Sequence, residues 1–204
     1  MPLTKKINMS NLKMNPRSAV LLLIILAVTA FRLLVTFNTD ELQFANFSSI
    51  GAVALFGGAY FKNDVKAFAF PLLSLFLSDF ILSSTIFSQY SNGFLYDGWY
   101  WVYIAFALMV LVGKVMLKKI NVVNFIGSAL VVTFIHWIVT DLGVWYHNPM
   151  FTQNFAGFWH ALVLAIPFEG RFIAGTLIYG AIICGAFELL KLRYTVLKLQ
   201  PQRV

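Results

Sequence analysis

The sequence predicts an all-α polytopic membrane protein with six transmembrane helices. Three observations carry this reading. Of 204 residues, 60% are apolar and 11% charged, where a soluble domain carries roughly a quarter charged residues; mean hydropathy is +0.80. Apolar runs near the ~20 residues needed to cross hydrocarbon recur along the chain. Lys and Arg alternate between the segments that separate those runs, as the positive-inside rule requires.

The first span is Ser18–Phe37, preceded by a basic stretch with Lys5, Lys6, Lys13 and Arg17. The second, Phe47–Phe61, is shorter and rich in small residues, Gly51, Ala54, Gly57 and Gly58 among them. The third is Ala67–Thr85, interrupted by Pro71; the fourth is Trp99–Leu117 and the fifth Val122–Thr140. The last is Arg171–Leu190. Before it lies an apolar piece, Phe158–Phe168, too short to span, which reads as an interfacial or re-entrant helix on the outer face. The break falls at Pro167, Phe168, Glu169, Gly170 and Arg171, where Glu169 would cap the last span.

The N-terminus, Lys62–Lys66, Lys114–Lys119 and the C-terminus hold all Lys and Arg except Arg32 and Arg171, while the loops Asn38–Asn46, Ile86–Gly98 and Asp141–Gly170 hold none. Both ends are therefore expected in the cytoplasm. Residues 1–17 form a basic cytoplasmic N-terminus, 18–190 a single six-helix domain and 191–204 a basic cytoplasmic tail. A cleaved signal peptide ending near Val28-Thr29-Ala30 is the rival for the first span, but cleavage would leave an odd number of crossings. The net charge of +7 is spread between spans and not along one face, so the expected partner is the lipid bilayer and not nucleic acid.

Charges inside spans are costly and usually face the bundle interior. Arg32 and Asp79 lie roughly 21 and 18 Å along their helices, at similar depth, and read as an ion pair or as the lining of a polar cavity. The fifth span ends in His136, Trp137, Thr140, Asp141, Trp145, Tyr146 and His147. Trp137, Asp141 and Trp145 share one stripe if the helix continues that far. An interfacial aromatic belt explains the Trp and Tyr; a ligand pocket, which needs apolar walls and a few polar groups, also explains Asp141 and the His. The loop Gln89–Tyr103, with Tyr90, Tyr96, Asp97 and Trp99, repeats both possibilities. Arg171 is placed to meet an anionic ligand. Gly51, Ala54, Gly57 and Gly58 read as a close-packing face, or as a docking face for another membrane protein.

Cys184 is the only cysteine, so neither a disulfide framework nor a CxxC site is expected. His136, Asp141, His147 and His160 have no metal-ligand spacing, and no P-loop, HExxH or GxSxG is present. No metal, cofactor or catalytic residue is expected.

The stretch Phe47–Leu82 contains GAVALFGGAYF followed by PLLSLFLSD; TDLGVW (Thr140–Trp145) and AIPF (Ala165–Phe168) come later. On these motifs residues 47–190 resemble a family of bacterial integral membrane proteins without an assigned function. More distantly, the layout is similar to the substrate-binding S components of energy-coupling-factor (ECF) vitamin transporters. That resemblance implies an S-component-like bundle in the bacterial inner membrane. It also implies an outward-facing pocket for a vitamin-like small molecule and docking on a membrane coupling protein driven by ATPases. The first span here has Ala19, Ala27 and Ala30 but lacks the AxxxA pair with which S components dock. The expected function is thus small-molecule binding and uptake, not enzymatic, with Asp79, Trp99, His136, Trp137, Asp141, Trp145, Tyr146, His147, Glu169 and Arg171 as candidate substrate contacts. The alternatives are a membrane enzyme or accessory factor acting on a lipid or cofactor, with His136, Asp141, His147 and His160 reactive, and a structural subunit.

Overall fold

The computed structural model describes residues 15–38, 48–90 and 94–198. The basic stretch with Lys5, Lys6 and Lys13, the start of the second expected span at Phe47, and the extreme C-terminus lie outside the described residues, as does the side chain of Tyr90. The described chain forms six α-helices: α1 Pro16–Asn38, α2 Ile50–Tyr60, α3 Asp64–Ser84, α4 Trp99–Met116, α5 Val122–Trp145 and α6 Phe155–Arg193. Five of these, all but α2, are long and apolar enough to cross a membrane.

Side-chain caps set where several helices begin. Asn63, Asn121 and Asn154 sit in extended backbone and accept hydrogen bonds from the N–H groups of Lys66, Asn124 and Gly157 at the starts of α3, α5 and α6; each satisfies a donor that the first helical turn leaves open.

The helices alternate in direction. The Arg17 guanidinium, at the start of α1, donates to the carbonyls of Tyr60, at the end of α2, and of Leu197, just beyond α6. The Tyr60 hydroxyl donates to Glu188 near the end of α6 (2.9 Å). Lys114, in the last turn of α4, pairs with Asp64 at the start of α3. One end of the bundle therefore gathers Arg17, Lys62, Lys114, Lys118, Lys119, Lys191 and Arg193, and the two ends of the described chain meet there.

Two expected elements are corrected. The second span is an 11-residue helix, about 16 Å long, well short of the ~30 Å hydrocarbon layer. It is apolar all round, as suits a helix packed on every side, and Gly51–Gly58 and Tyr60 are all buried. The expected small-residue face is used inside the chain. A Cβ at Gly58 would strike the Val110 carbonyl of α4, one at Gly57 would strike the Pro71 ring of α3, and one at Gly51 would meet Thr176 and Phe172 of α6. Ala54 is likewise fully buried. These side chains face α3, α4 and α6, not a second protein.

The other correction concerns Phe158–Phe168. It is not a separate outer-face helix: α6 runs unbroken for 39 residues, with Pro167 inside it. Surrounded by apolar side chains, the backbone finds no better partner than its own helix. Pro167 leaves the Val163 carbonyl without its helical donor; one residue earlier, Trp137 Nε1 donates to the Leu162 carbonyl (2.9 Å). Glu169 is consequently a buried mid-helix residue, not a cap.

Candidate functional site

The short α2 creates the site. Its end at Tyr60 is level with Arg17, and at 1.5 Å per residue its start reaches only about 15 Å up the bundle. Arg32, fifteen residues beyond Arg17 on α1, lies about 22 Å up. Above the start of α2 the five long helices enclose a cavity of about 280 Å³, with Ser48 and Ile50 at its floor. Every helix contributes to its walls.

One wall is ionic. Arg32 Nη1 lies 3.1 Å from Asp79 Oδ1, joining α1 to α3, and also donates to the Ser78 hydroxyl. Asp79 is 3% exposed. Its second oxygen accepts from the Tyr96 hydroxyl (3.2 Å). Tyr96 lies in the loop before α4, and burial, with the Asp79 carboxylate beside it, pushes its phenol up from the ordinary range. It therefore remains a donor to Asp79 at any physiological pH. Tyr103 of α4 brings a second phenol into the field of the same carboxylate, and Ser83, one turn beyond Asp79, adds a hydroxyl.

The opposite wall is aromatic. The His136 ring of α5 stacks on Phe172 of α6, with centroids 4.0 Å apart and planes at 15°. His136 Nδ1 lies 2.7 Å from Glu169 Oε1, so the carboxylate fixes the ring through a charge-assisted hydrogen bond. Phe172 reaches this position because Gly51 lets α6 approach α2: a Cβ there would lie 3.0 Å from the Phe172 ring. Behind His136, Asp141 is within charge–charge range of Glu169. Asp141 Oδ2 and Glu169 Oε2 are buried without hydrogen-bond partners.

The residues expected to bind substrate separate into three groups. Asp79 and His136 line the cavity, with Glu169 and Asp141 behind the latter. Trp137 and Trp145 are braces between α5 and α6: Trp145 Nε1 donates to the Thr152 carbonyl (2.9 Å) in the turn leading into α6. The stripe of Trp137, Asp141 and Trp145 does lie on one helix, and it faces α6. The third group does not line the cavity. Trp99 is partly exposed and packs edge-on to Tyr103 at 5.3 Å. Tyr146 is half-exposed. His147 occupies a left-handed turn residue (φ 55°) after α5. The Arg171 guanidinium lies over the Phe168 ring, 5.8 Å from its centroid.

Among the described residues no three His, Cys, Asp or Glu side chains come together as a metal-ion set. Sequence reasoning passed over Phe172, Ser78 and Ser83. Phe172 is one of twenty-one Phe, and nothing in its spacing marks it; Ser78 and Ser83 flank Asp79 and could have been found as hydroxyls on its helical face.

One family model, described as a family of unknown function (DUF6580), matches residues 12–199. The chain belongs to that family. Comparison with curated proteins and with solved structures finds no match.

Proposed function

Taking that membership as the premise, we propose that this helical membrane protein binds one compact, polar, ring-containing small molecule in the cavity above α2 and serves in its uptake. The observation that carries the reading is the cavity's make-up: Arg32, Asp79 and Tyr96 on one side, and the His136–Phe172 stack on the other. Ligand sites combine apolar and aromatic walls with a few convergent polar groups. Intramembrane charges that face a cavity mark substrate pathways by default. A volume of about 280 Å³ sits at the lower edge of the usual ~300–1,000 Å³. It favours a single-ring compound over a large cofactor, which suits the resemblance to vitamin-binding S components. Binding needs no covalent step, and the protein acts as a binder and carrier, not an enzyme. The reactive set of the enzyme reading is scattered, since His147 and His160 are exposed and line no part of the cavity.

The S-component resemblance further implies a coupling protein with ATPases. The small-residue face of α2 does not serve that contact, being buried inside the chain, so any coupling partner docks elsewhere. The positive-inside rule assigns the basic end of the bundle to the cytoplasm, and the resemblance to bacterial membrane proteins implies the inner membrane of a bacterium.

Thermal unfolding of the purified full chain against a panel of water-soluble vitamins and their single-ring precursors tests the reading. A true ligand at 100 times its Kd stabilises by about 2.7 kcal/mol. The shift is expected in the wild type and absent in Ser83→Trp, which fills the cavity. A panel without any hit, or a hit that Ser83→Trp binds equally well, would count against it.

A further inference from the structure

We infer that the floor of the cavity is an anion site, where the N-terminal end of α2 and the Arg32 guanidinium together hold a carboxylate. This rests on the reading of the cavity as a ligand site and narrows its ligand to single-ring carboxylic acids. Helix α2 begins inside the bundle, and Ser48 and Ile50 at its start line the cavity. The open N–H groups of its first turn are therefore directed at that space. The first bond of the helix runs from Val53 N to the Ser49 carbonyl (2.9 Å). The Ile50 N–H is taken by the Ser48 hydroxyl (3.2 Å). Gly51 and Ala52 follow, as donors that the helix itself cannot satisfy. Such a helix end carries about half a positive charge and favours anions. Membrane helices that begin at mid-depth direct that end at the acidic group of a substrate.

Two buried hydroxyls mark this turn as incomplete. Ser49 holds the N-cap position, where a serine normally closes the first turn, but its side chain makes no capping hydrogen bond. It is 3% exposed and instead lines a small cleft with Arg32, Ile50 and Ser78. Arg32 and Ile50 also line the main cavity, so the cleft and the cavity meet at the start of α2. On the α6 side, Thr176 is fully buried, and its Oγ1 has no hydrogen-bond partner among the described residues. That oxygen stands where a Cβ on Gly51 would come, so it is aimed at the first turn of α2.

Arg32 supplies the cation. Its hydrogen bonds to Ser78 and Asp79 both leave from Nη1, and a guanidinium carries five N–H donors in a fork that matches a carboxylate. Asp79 already accepts at both oxygens, from Arg32 and from Tyr96. One guanidinium partly balanced by Asp79, together with a helix end, suits one negative charge and not two, since an uncompensated buried charge is costly. That favours a carboxylate over a phosphate. The aromatic wall rises from the same point: the Phe172 ring comes within 3.0 Å of the Gly51 Cβ position and stacks on His136. A carboxylate held at the floor thus brings a directly attached ring against that stack.

The test is titration calorimetry of the purified full chain at neutral pH with three acid–amide pairs: benzoate and benzamide, nicotinate and nicotinamide, 4-aminobenzoate and 4-aminobenzamide. Each pair keeps ring and size and differs by one negative charge. At least one acid should bind, and any acid that binds should do so at least about tenfold more tightly than its amide. That preference should fall to about threefold or less in the double variant Arg32→Met, Asp79→Leu, which removes a balanced pair and whose folding is checked by thermal unfolding. The acid–amide comparison is made in the wild type, so misfolding of the variant does not spoil it. An amide that binds within tenfold of its acid, or a larger preference kept by the folded double variant, would overturn the anion site while leaving a ligand cavity in place. Silence from all six compounds would overturn it as well, and the thermal-shift panel then decides separately whether the cavity binds any compound.

Discussion

Arg32 and Asp79 meet at 3.1 Å across α1 and α3, forty-seven positions apart in sequence; Arg32 donates to one carboxylate oxygen of Asp79 and Tyr96 to the other, and Arg32 also donates to the Ser78 hydroxyl. The pair fixes α1, otherwise turned largely toward lipid with Leu23, Phe31 and Leu34 exposed, to the rest of the bundle.

Breaking this pair by removing one partner leaves a buried charge uncompensated, which costs about 3–5 kcal/mol. Arg32→Met should therefore lower stability by that order in thermal or denaturant unfolding. The double variant Arg32→Met, Asp79→Leu should recover most of the loss, because replacing a buried pair by apolar groups is often neutral. The coupling is read from a double-mutant cycle.

Gly58 is where α2 and α4 touch backbone to backbone, since a Cβ there would strike the Val110 carbonyl and lie 2.7 Å from the Lys114 nitrogen. Neither atom belongs to a flexible side chain, so Gly58→Ala must separate the two helices. A loss of about 2–3 kcal/mol is expected, the upper range for overpacking. Gly185→Ala on α6 meets nothing within 4 Å and should be neutral or stabilising by up to about 1 kcal/mol. Equal losses at the two positions would contradict the packing described.

Trp137 braces α6 through the Leu162 carbonyl (2.9 Å) and is absent from the cavity lining. Trp137→Phe should cost about 0.5–1.5 kcal/mol of stability, the net worth of one hydrogen bond, because the Leu162 carbonyl lies within the continuous α6. The Kd of any ligand found should stay within roughly threefold of the wild type, less than the tenfold that 1.4 kcal/mol represents. A large Kd change without loss of stability would return Trp137 to the binding site.

Both ends of the described chain meet at the basic end, which gives a labelling prediction. In a Cys184→Ala background, Lys118→Cys lies at that end and Met150→Cys, 82% exposed, lies at the other. A membrane-impermeant maleimide added to intact cells should modify the Met150 position and spare the Lys118 position until the cells are opened. The reverse pattern would invert the orientation assigned from the Lys and Arg bias.

The long helices were legible because lipid imposes their composition: α4 was expected from Trp99 and α5 from Val122, where both begin. What failed was local punctuation. Pro167 and Gly170 read as a break, yet α6 passes through both, since helix-breaking residues lose their force where the backbone has no other donors or acceptors. The length of the second element was overestimated because a fully buried helix and a short span look alike in apolar content. Arg32 and Asp79 were found as a pair because charge in an apolar run is rare. The stacking partner of His136 was not, since one Phe among many carries no periodic or chemical mark. The Trp and Tyr residues of the far end were ambiguous for a physical reason: the same amphipathic rings suit an interface, a brace and a pocket.

The central claim is that the cavity above α2 is a ligand site, and the most direct measurement is an experimental structure of the full chain with the strongest compound from the thermal-shift panel. The account predicts ligand density between the Arg32–Asp79–Tyr96 wall and the His136–Phe172 stack, with polar atoms within hydrogen-bond distance of Asp79 or His136. Density instead at the far-end aromatics Trp99 and Tyr146, or a space above Ile50 filled by the chain's own residues, would contradict it.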